Sequence, residues 1–343
     1  MTTVSKLTAK WDSELPNPPD STSSGKYNSL HQQIEFFAKH HYNEYLPTLA
    51  ASHPQFLDRL DNWLHNPVTD DEKRLMLEYV PFITFLTSGD FGSLYEAAFR
   101  GPIARWIIEL LGLALDDPEL TSSVSKELSD HTWFCPLTDS MHISSFHHVN
   151  NIGGVDLRPD FRSLVKFGDK NKILAFMCDH ADRTGRAAPL KRIVLLEDFV
   201  GSGFQTKKSL YAAVRCLDTI PILYVPLVIC PAGSAAARRV ASRYANLTYD
   251  PVIELTESDL INEASPLDPT SLADRLRRLA VRSYPAVAGP AARTNDLPYG
   301  PFGFKDTGAV LVMYSNTPAN SLPLLHHQSD EWRPLFPRSA RIR

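Results

Sequence analysis

Apolar positions recur at helical spacing through the first third of the chain. Ile34, Phe37, Tyr42 and Leu46 follow a three-to-four-residue step. So do Phe56, Leu60, Trp63 and Leu64, and later Ile103, Trp106, Ile107, Leu110 and Leu111. Prolines at 47, 54, 67, 81 and 102 punctuate these runs. The pattern predicts a helical region over residues 27–120. The stretch before it, residues 1–26, is rich in Ser, Thr, Pro and Asp and reads as a flexible arm. Within the helical region, Gly89–Leu94 (GDFGSL) reads as a turn, because it has two glycines and lacks a phosphate-loop lysine.

Beyond residue 120 the apolar residues group differently. Thr132–Cys135 and Ile173–Met177 are short apolar runs with strand character. Ile193–Leu196 (IVLL) is β-rich, and Ile222–Ile229 (ILYVPLVI) is apolar on both alternating sets. Between the last two, Leu210, Ala213, Val214 and Leu217 mark one face of a helix over Gln205–Leu217. Ser234–Tyr244 reads as a helix opened by an N-cap serine, and Thr248–Leu255 as a further strand. Strands apolar on both faces, alternating with helices, predict an α/β domain over residues 121–343 with a mainly parallel sheet flanked by helices. Ser271–Tyr284 is an amphipathic helix and Gly308–Tyr314 a last strand. The tail beginning Ser315 is too proline-rich for a helix.

Open α/β sheets bind ligands outside the carboxyl ends of their strands. There, strand IVLL runs into Glu197-Asp198 and then Phe199-Val200-Gly201-Ser202-Gly203-Phe204-Gln205, where a helix begins. Two adjacent carboxylates suit a ligand with vicinal hydroxyls. A Gly-Ser-Gly turn lets backbone N–H groups converge on a small anion, and the helix adds its dipole. Together these describe a ribose next to a 5′-phosphate. A Walker loop is excluded because no Gly-Lys-Ser/Thr is present, and a dinucleotide fingerprint because residue 206 is threonine. A nucleophile elbow is excluded because Ser202 lies directly between its glycines.

The 343 residues carry a formal charge of −4, which gives no support to direct nucleic-acid binding. No stretch approaches the roughly 18 apolar residues of a membrane span, and the N-terminus lacks an apolar signal core. Cys135, Cys178, Cys216 and Cys230 form no C-x-x-C pair and read as buried, reduced cysteines of a cytoplasmic protein. The histidine pairs 40–41, 147–148 and 326–327 lack ligand spacing, so no protein-held metal is expected.

The run IVLL-ED-FVGSGFQ resembles the signature of type I phosphoribosyltransferases: four apolar residues, two acids, then a small-residue loop. It departs where that family usually has Thr-Thr-Gly-x-Thr. With the distant Asn316-Thr317-Pro318-Ala319-Asn320-Ser321-Leu322-Pro323 segment, it resembles the phosphoribosyltransferase-like proteins of bacterial conflict and anti-phage defence loci. The resemblance implies a phosphoribosyl pyrophosphate or nucleotide ligand, with Mg²⁺ carried by a diphosphate. It implies Glu197 and Asp198 at the ribose hydroxyls as the catalytic pair, and Gly201, Ser202, Gly203, Phe204 and Gln205 at the phosphate. A pyrophosphate turn falls on Asp139, Ser140 and Met141. A covering loop falls on His180–Arg192 with its basic residues Arg183, Arg186, Lys191 and Arg192. Acceptor recognition or closing of the site falls on Asn316 and Asn320. Two alternatives stay open: a non-catalytic ribosyl-phosphate sensor that regulates an operon-encoded partner effector, and a nucleotide-cleaving, glycosidase-like effector.

Overall fold

A computed structural model describes residues 3–16, 25–47, 54–138, 140–153, 170–179, 189–290 and 299–339. The chain divides into two compact units. One combines Met1–Ser88 with Glu257–Arg343, and the other is the continuous stretch Gly89–Thr256. The division differs from the boundaries expected at residues 26 and 120, because the first unit is completed by the chain's last quarter.

The first unit opens with helices α1 (Thr3–Ser13), α2 (Lys26–His40), α3 (Phe56–Leu64) and α4 (Asp70–Tyr79), then a short strand β1 (Thr84–Leu86). The expected flexible arm thus contains an ordered helix. Val4, Thr8 and Trp11 share one buried face of α1, and Trp11 meets the Tyr27 ring edge-on at 5.4 Å. Asp12 caps α2, accepting hydrogen bonds from Tyr27 N at 2.8 Å and Asn28 N at 3.0 Å. Phe56, Leu60, Trp63 and Leu64 are all buried on α3, as their spacing predicts.

The second unit begins with α5 (Ser88–Ala98), α6 (Ala104–Leu111) and α7 (Leu120–His131). Gly89–Leu94 therefore lies in a helix rather than a turn: Phe91, Leu94, Tyr95 and Ala98 supply a buried face that outweighs two glycines. Next come β2 (Thr132–Pro136), α8 (Ile143–Val149), α9 (Lys170–Cys178), β3 (Arg192–Val200), α10 (Phe204–Cys216), β4 (Ile222–Ile229), α11 (Pro231–Ala241), β5 (Leu247–Tyr249) and β6 (Ile253–Glu254). The strands form one parallel sheet in the order β2-β3-β4-β5, with β6 also on β4.

Every residue of β2, β3 and β4 is buried. Their side chains alternate between faces. Trp133, Cys135, Ile193 and Leu195 pack with Leu210 of α10 and Val240 of α11. Phe134 points the other way and meets Phe146 of α8 at 5.4 Å. Helices thus flank both faces, as the doubly apolar strands require.

Three expectations for this unit are corrected. Ile173–Met177 is helical, within α9; a five-residue apolar run has no period that separates the two states. Ser234 does not cap α11, which starts three residues earlier at Pro231 behind the N-cap Cys230. The strand expected over Thr248–Leu255 is two, broken around Pro251.

The chain then returns to the first unit with α12 (Leu272–Ala288), capped by Ser271 Oγ accepting from Asp274 N at 3.1 Å. The expected last strand appears as β7 (Leu311–Met313), yet it pairs in parallel with β1 instead of joining the main sheet. Pro323–His326 forms a single helical turn, α13, in the proline-rich tail, with Pro323 at its first position. Of the four cysteines, Cys135 and Cys230 are buried, but Cys178 is exposed. Among the described residues no helix is long and apolar enough to cross a membrane.

Candidate functional site

The sequence of β3 changes character two-thirds of the way along it. After five residues, Glu197 and Asp198 enter a strand that is otherwise apolar, and both are buried, at 3% and 4% exposure. A buried carboxylate without partners would cost several kcal/mol. The exit loop of β2 supplies those partners. Parallel pairing sets Pro136 opposite Leu196, and Leu137 N donates to Leu196 O at 2.8 Å, so this loop passes beside the tip of β3.

Glu197 Oε2 accepts from Thr138 N at 2.9 Å and Oε1 from Thr138 Oγ1 at 2.5 Å. Asp198 Oδ1 accepts from its neighbour Phe199 N at 2.7 Å and from Ser140 Oγ at 2.9 Å. Burial pushes the Asp198 carboxyl above the ordinary carboxylate range, while those two hydrogen bonds and the nearby His142 pull the other way. Among the described residues Asp198 Oδ2 takes no hydrogen bond, which leaves it for a ligand.

The glycine turn follows at once. Gly203 caps α10 with a left-handed φ of +70°. A Cβ there would meet Gly233 Cα and Ala236 Cβ of α11, each at 3.3 Å. Conversely, a Cβ on Gly233 would meet Gly201 O at 2.6 Å and Val200 Cγ1 at 2.9 Å. Glycines on two elements therefore interlock, and Cys230 N fixes the join by donating to Val200 O at 2.8 Å. First-turn N–H groups of a helix have no intrahelical acceptor, and the dipole there favours an anion. Thr206 Oγ1 donates to Gly203 O at 3.2 Å, which braces the turn. Gly201 and Gly203 are buried, Ser202 is half-buried, and Phe204 and Gln205 are exposed. A carboxylate with one oxygen that takes no hydrogen bond among the described residues thus stands one short turn from a helix N-terminus.

A family model described as PRTase-CE matches residues 60–338. The chain belongs to the PRTase-CE family. No curated protein and no solved structure matches it. The match spans parts of both units, and the protein is phosphoribosyltransferase-like, with which its α/β parallel sheet is consistent.

The other residues singled out in this PRTase-CE protein fall in different places. Ser140 lies beside Asp198, and Met141 is buried just beyond it. Asp139, Arg183 and Arg186 lie outside the described residues. Arg192 is no loop residue: it opens β3, is buried, and pairs with Glu127 Oε2 at 2.8 Å. Asn316 and Asn320 belong to the first unit, where their amides hold local backbone. Asn316 Oδ1 accepts from Thr317 N at 2.9 Å and Ser339 N at 3.2 Å, while Asn320 Nδ2 donates to Phe304 O at 3.0 Å and Thr307 Oγ1 at 2.8 Å. Among the described residues no group of three or more His, Cys, Asp or Glu is arranged to hold a metal.

Sequence reasoning missed three residues. Thr138 meets both oxygens of Glu197, and its neighbours but not Thr138 itself stood out as a turn. Gly233 was passed over because a glycine in a helical pattern signals a close approach only once its neighbour is known. Tyr224 lies fully buried on β4 near Glu197, Asp198 and Thr206, with its hydroxyl short of hydrogen-bond geometry to any of them. Burial pushes its phenol well above the ordinary value.

Proposed function

We propose that the tip of β3 and the first turn of α10 bind a ribose 5-phosphate group, as phosphoribosyl pyrophosphate or a nucleotide. The observation that carries this reading is the pairing of Asp198, with Oδ2 open, and the left-handed Gly203 that opens α10. The sugar hydroxyls donate to Asp198. The phosphate accepts from the N–H groups of Gly201–Gln205 and from the Ser202 hydroxyl. Glu197, whose two oxygens are both taken by Thr138, sets the charge beneath the sugar and holds the β2 exit loop.

With phosphoribosyl pyrophosphate as ligand, departure of pyrophosphate leaves positive charge on the ribose, which the acid pair favours. A diphosphate ligand would carry its own Mg²⁺, which would neutralise charge on the departing pyrophosphate. The Ser140–Met141 turn lies on the side where the diphosphate leaves. An open carboxylate serves binding with or without transfer, so a ribosyl-phosphate sensor is the second reading.

Calorimetry with ribose 5-phosphate, a nucleoside monophosphate and Mg²⁺-phosphoribosyl pyrophosphate tests the site. Losing a hydrogen bond to a charged group costs about 1.5–3 kcal/mol, so Asp198→Asn should weaken binding roughly 10- to 150-fold. Unchanged affinity in that variant would remove the site assignment. Release of pyrophosphate or of free base separates a transferase or glycosidase from a sensor. A role in bacterial defence, with an operon-encoded partner, rests on the Gly-Ser-Gly loop and the 316–323 segment. It predicts that Asp198→Asn abolishes protection in a phage challenge.

A further inference from the structure

The oxygens joining the two acids do not have enough hydrogens. Glu197 Oε1 and Thr138 Oγ1 are 2.5 Å apart, Thr138 Oγ1 and Ser140 Oγ 2.8 Å, and Ser140 Oγ and Asp198 Oδ1 2.9 Å. These are three oxygen–oxygen contacts at hydrogen-bond distance. The two hydroxyls bring two protons between them, and ionised carboxylates bring none. One contact would then set two lone pairs against each other inside a buried network, where an unmatched polar contact is most costly.

We propose that Glu197 and Asp198 share one proton through the Thr138 and Ser140 hydroxyls, so that the empty site carries one negative charge rather than two. In one arrangement Glu197 is protonated and donates to Thr138, which donates to Ser140, which donates to the Asp198 carboxylate. In the other, Asp198 donates to Ser140, Ser140 to Thr138, and Thr138 to the Glu197 carboxylate. A concerted shift of three protons along the chain interconverts them, and no proton enters or leaves. Phe199 N donates to Asp198 Oδ1 at 2.7 Å, which favours the form with its charge on Asp198, the acid that faces the ligand. Among the described residues, other titratable groups near the pair include His142, on the loop entering α8, and the Tyr224 phenol on β4. Burial raises Asp198, in keeping with a retained proton.

Thr138 and Ser140 are therefore positioning residues for the charge at the ribose, if the ribose-phosphate reading holds. Their role is tested on the full chain without ligand. Infrared difference spectra at neutral pH should show a protonated-carboxyl C=O band in the wild-type protein. Glu197→Gln should remove that band, because its amide supplies the missing donor at Thr138, whereas Asp198→Asn should keep it, because Phe199 N holds the amide oxygen toward Ser140 and leaves the proton on Glu197. A band that survives Glu197→Gln means a second protonated acid, and no band in the wild type means none; both overturn the proposal. Thr138→Val should split the relay and shift the band's pH midpoint, and Thr138→Ser should restore it. A merely structural threonine would leave the midpoint in place. Calorimetry with ribose 5-phosphate is a separate readout. A band without binding refutes the functional reading alone, and binding without a band refutes the shared proton alone.

Discussion

Replacing Gly233 by alanine should disturb the candidate site from a neighbouring helix. The added Cβ would stand 2.6 Å from Gly201 O and 2.9 Å from Val200 Cγ1. A carbon meets a carbonyl oxygen comfortably at about 3.3 Å, so the turn must retreat by about 0.7 Å. Overpacking of this kind costs about 1–3 kcal/mol, and the gain in helix propensity returns about 1 kcal/mol. The net expectation is a loss of up to about 2 kcal/mol. Gly92→Ala is the matched control. It lies in α5 with nothing within 4 Å of its would-be Cβ, so propensity alone should stabilise it by about 1 kcal/mol. Urea denaturation of both variants, followed by calorimetry with ribose 5-phosphate, reads the two effects. Should Gly233→Ala gain as much stability as Gly92→Ala and bind as the wild type does, the interlocked glycines have no bearing on the site.

Tyr224→Phe should raise stability by about 1 kcal/mol in urea denaturation, since it removes a buried hydroxyl that finds no hydrogen-bond partner among the described residues; a loss would mean the hydroxyl is satisfied. Burial, aided by Arg338, pushes the His326 imidazole down to about 3. Between that value and 6.5 the unfolded chain binds the extra proton, so stability present at neutral pH is lost on acidification. The loss is at most about 1.4 kcal/mol per pH unit, and His326→Gln should flatten that slope in denaturation midpoints. For Asp198 the sign is opposite. Burial raises its carboxyl and the pair retains one proton in the folded state, so that contribution is lost as pH rises above the ordinary carboxylate range. Glu197→Gln, which removes the need for that proton, should therefore gain stability relative to the wild type as pH rises, and a constant difference would refute the shift.

The sheet was legible because β3 and β4 are apolar on both faces, a pattern that only burial between helix layers explains. The strand–acid–glycine–helix order of the site was legible for the same local reason. What escaped notice depends on distance along the chain. Thr138 matters because parallel pairing brings residue 138 to residue 197, a separation no periodicity reveals. Leu311–Met313 has strand character, but its partner Thr84–Leu86 is three residues long and too short to announce itself. Ile173–Met177 went to the wrong state because a short apolar run suits either. The first helix was hidden by its polar composition, although Val4, Thr8 and Trp11 keep helical spacing.

The pairing of β1 with β7 joins residue 84 to residue 311. During synthesis the first unit has to wait, because one strand of this pair leaves the ribosome long after the other. The second unit is continuous in sequence, so its sheet can close while its host is still half made. A nascent chain halted near residue 256 thus holds every residue of the proposed ribose-phosphate site but cannot complete the unit that opened it. A premature stop late in the gene would leave the second unit encoded and the first unfinished.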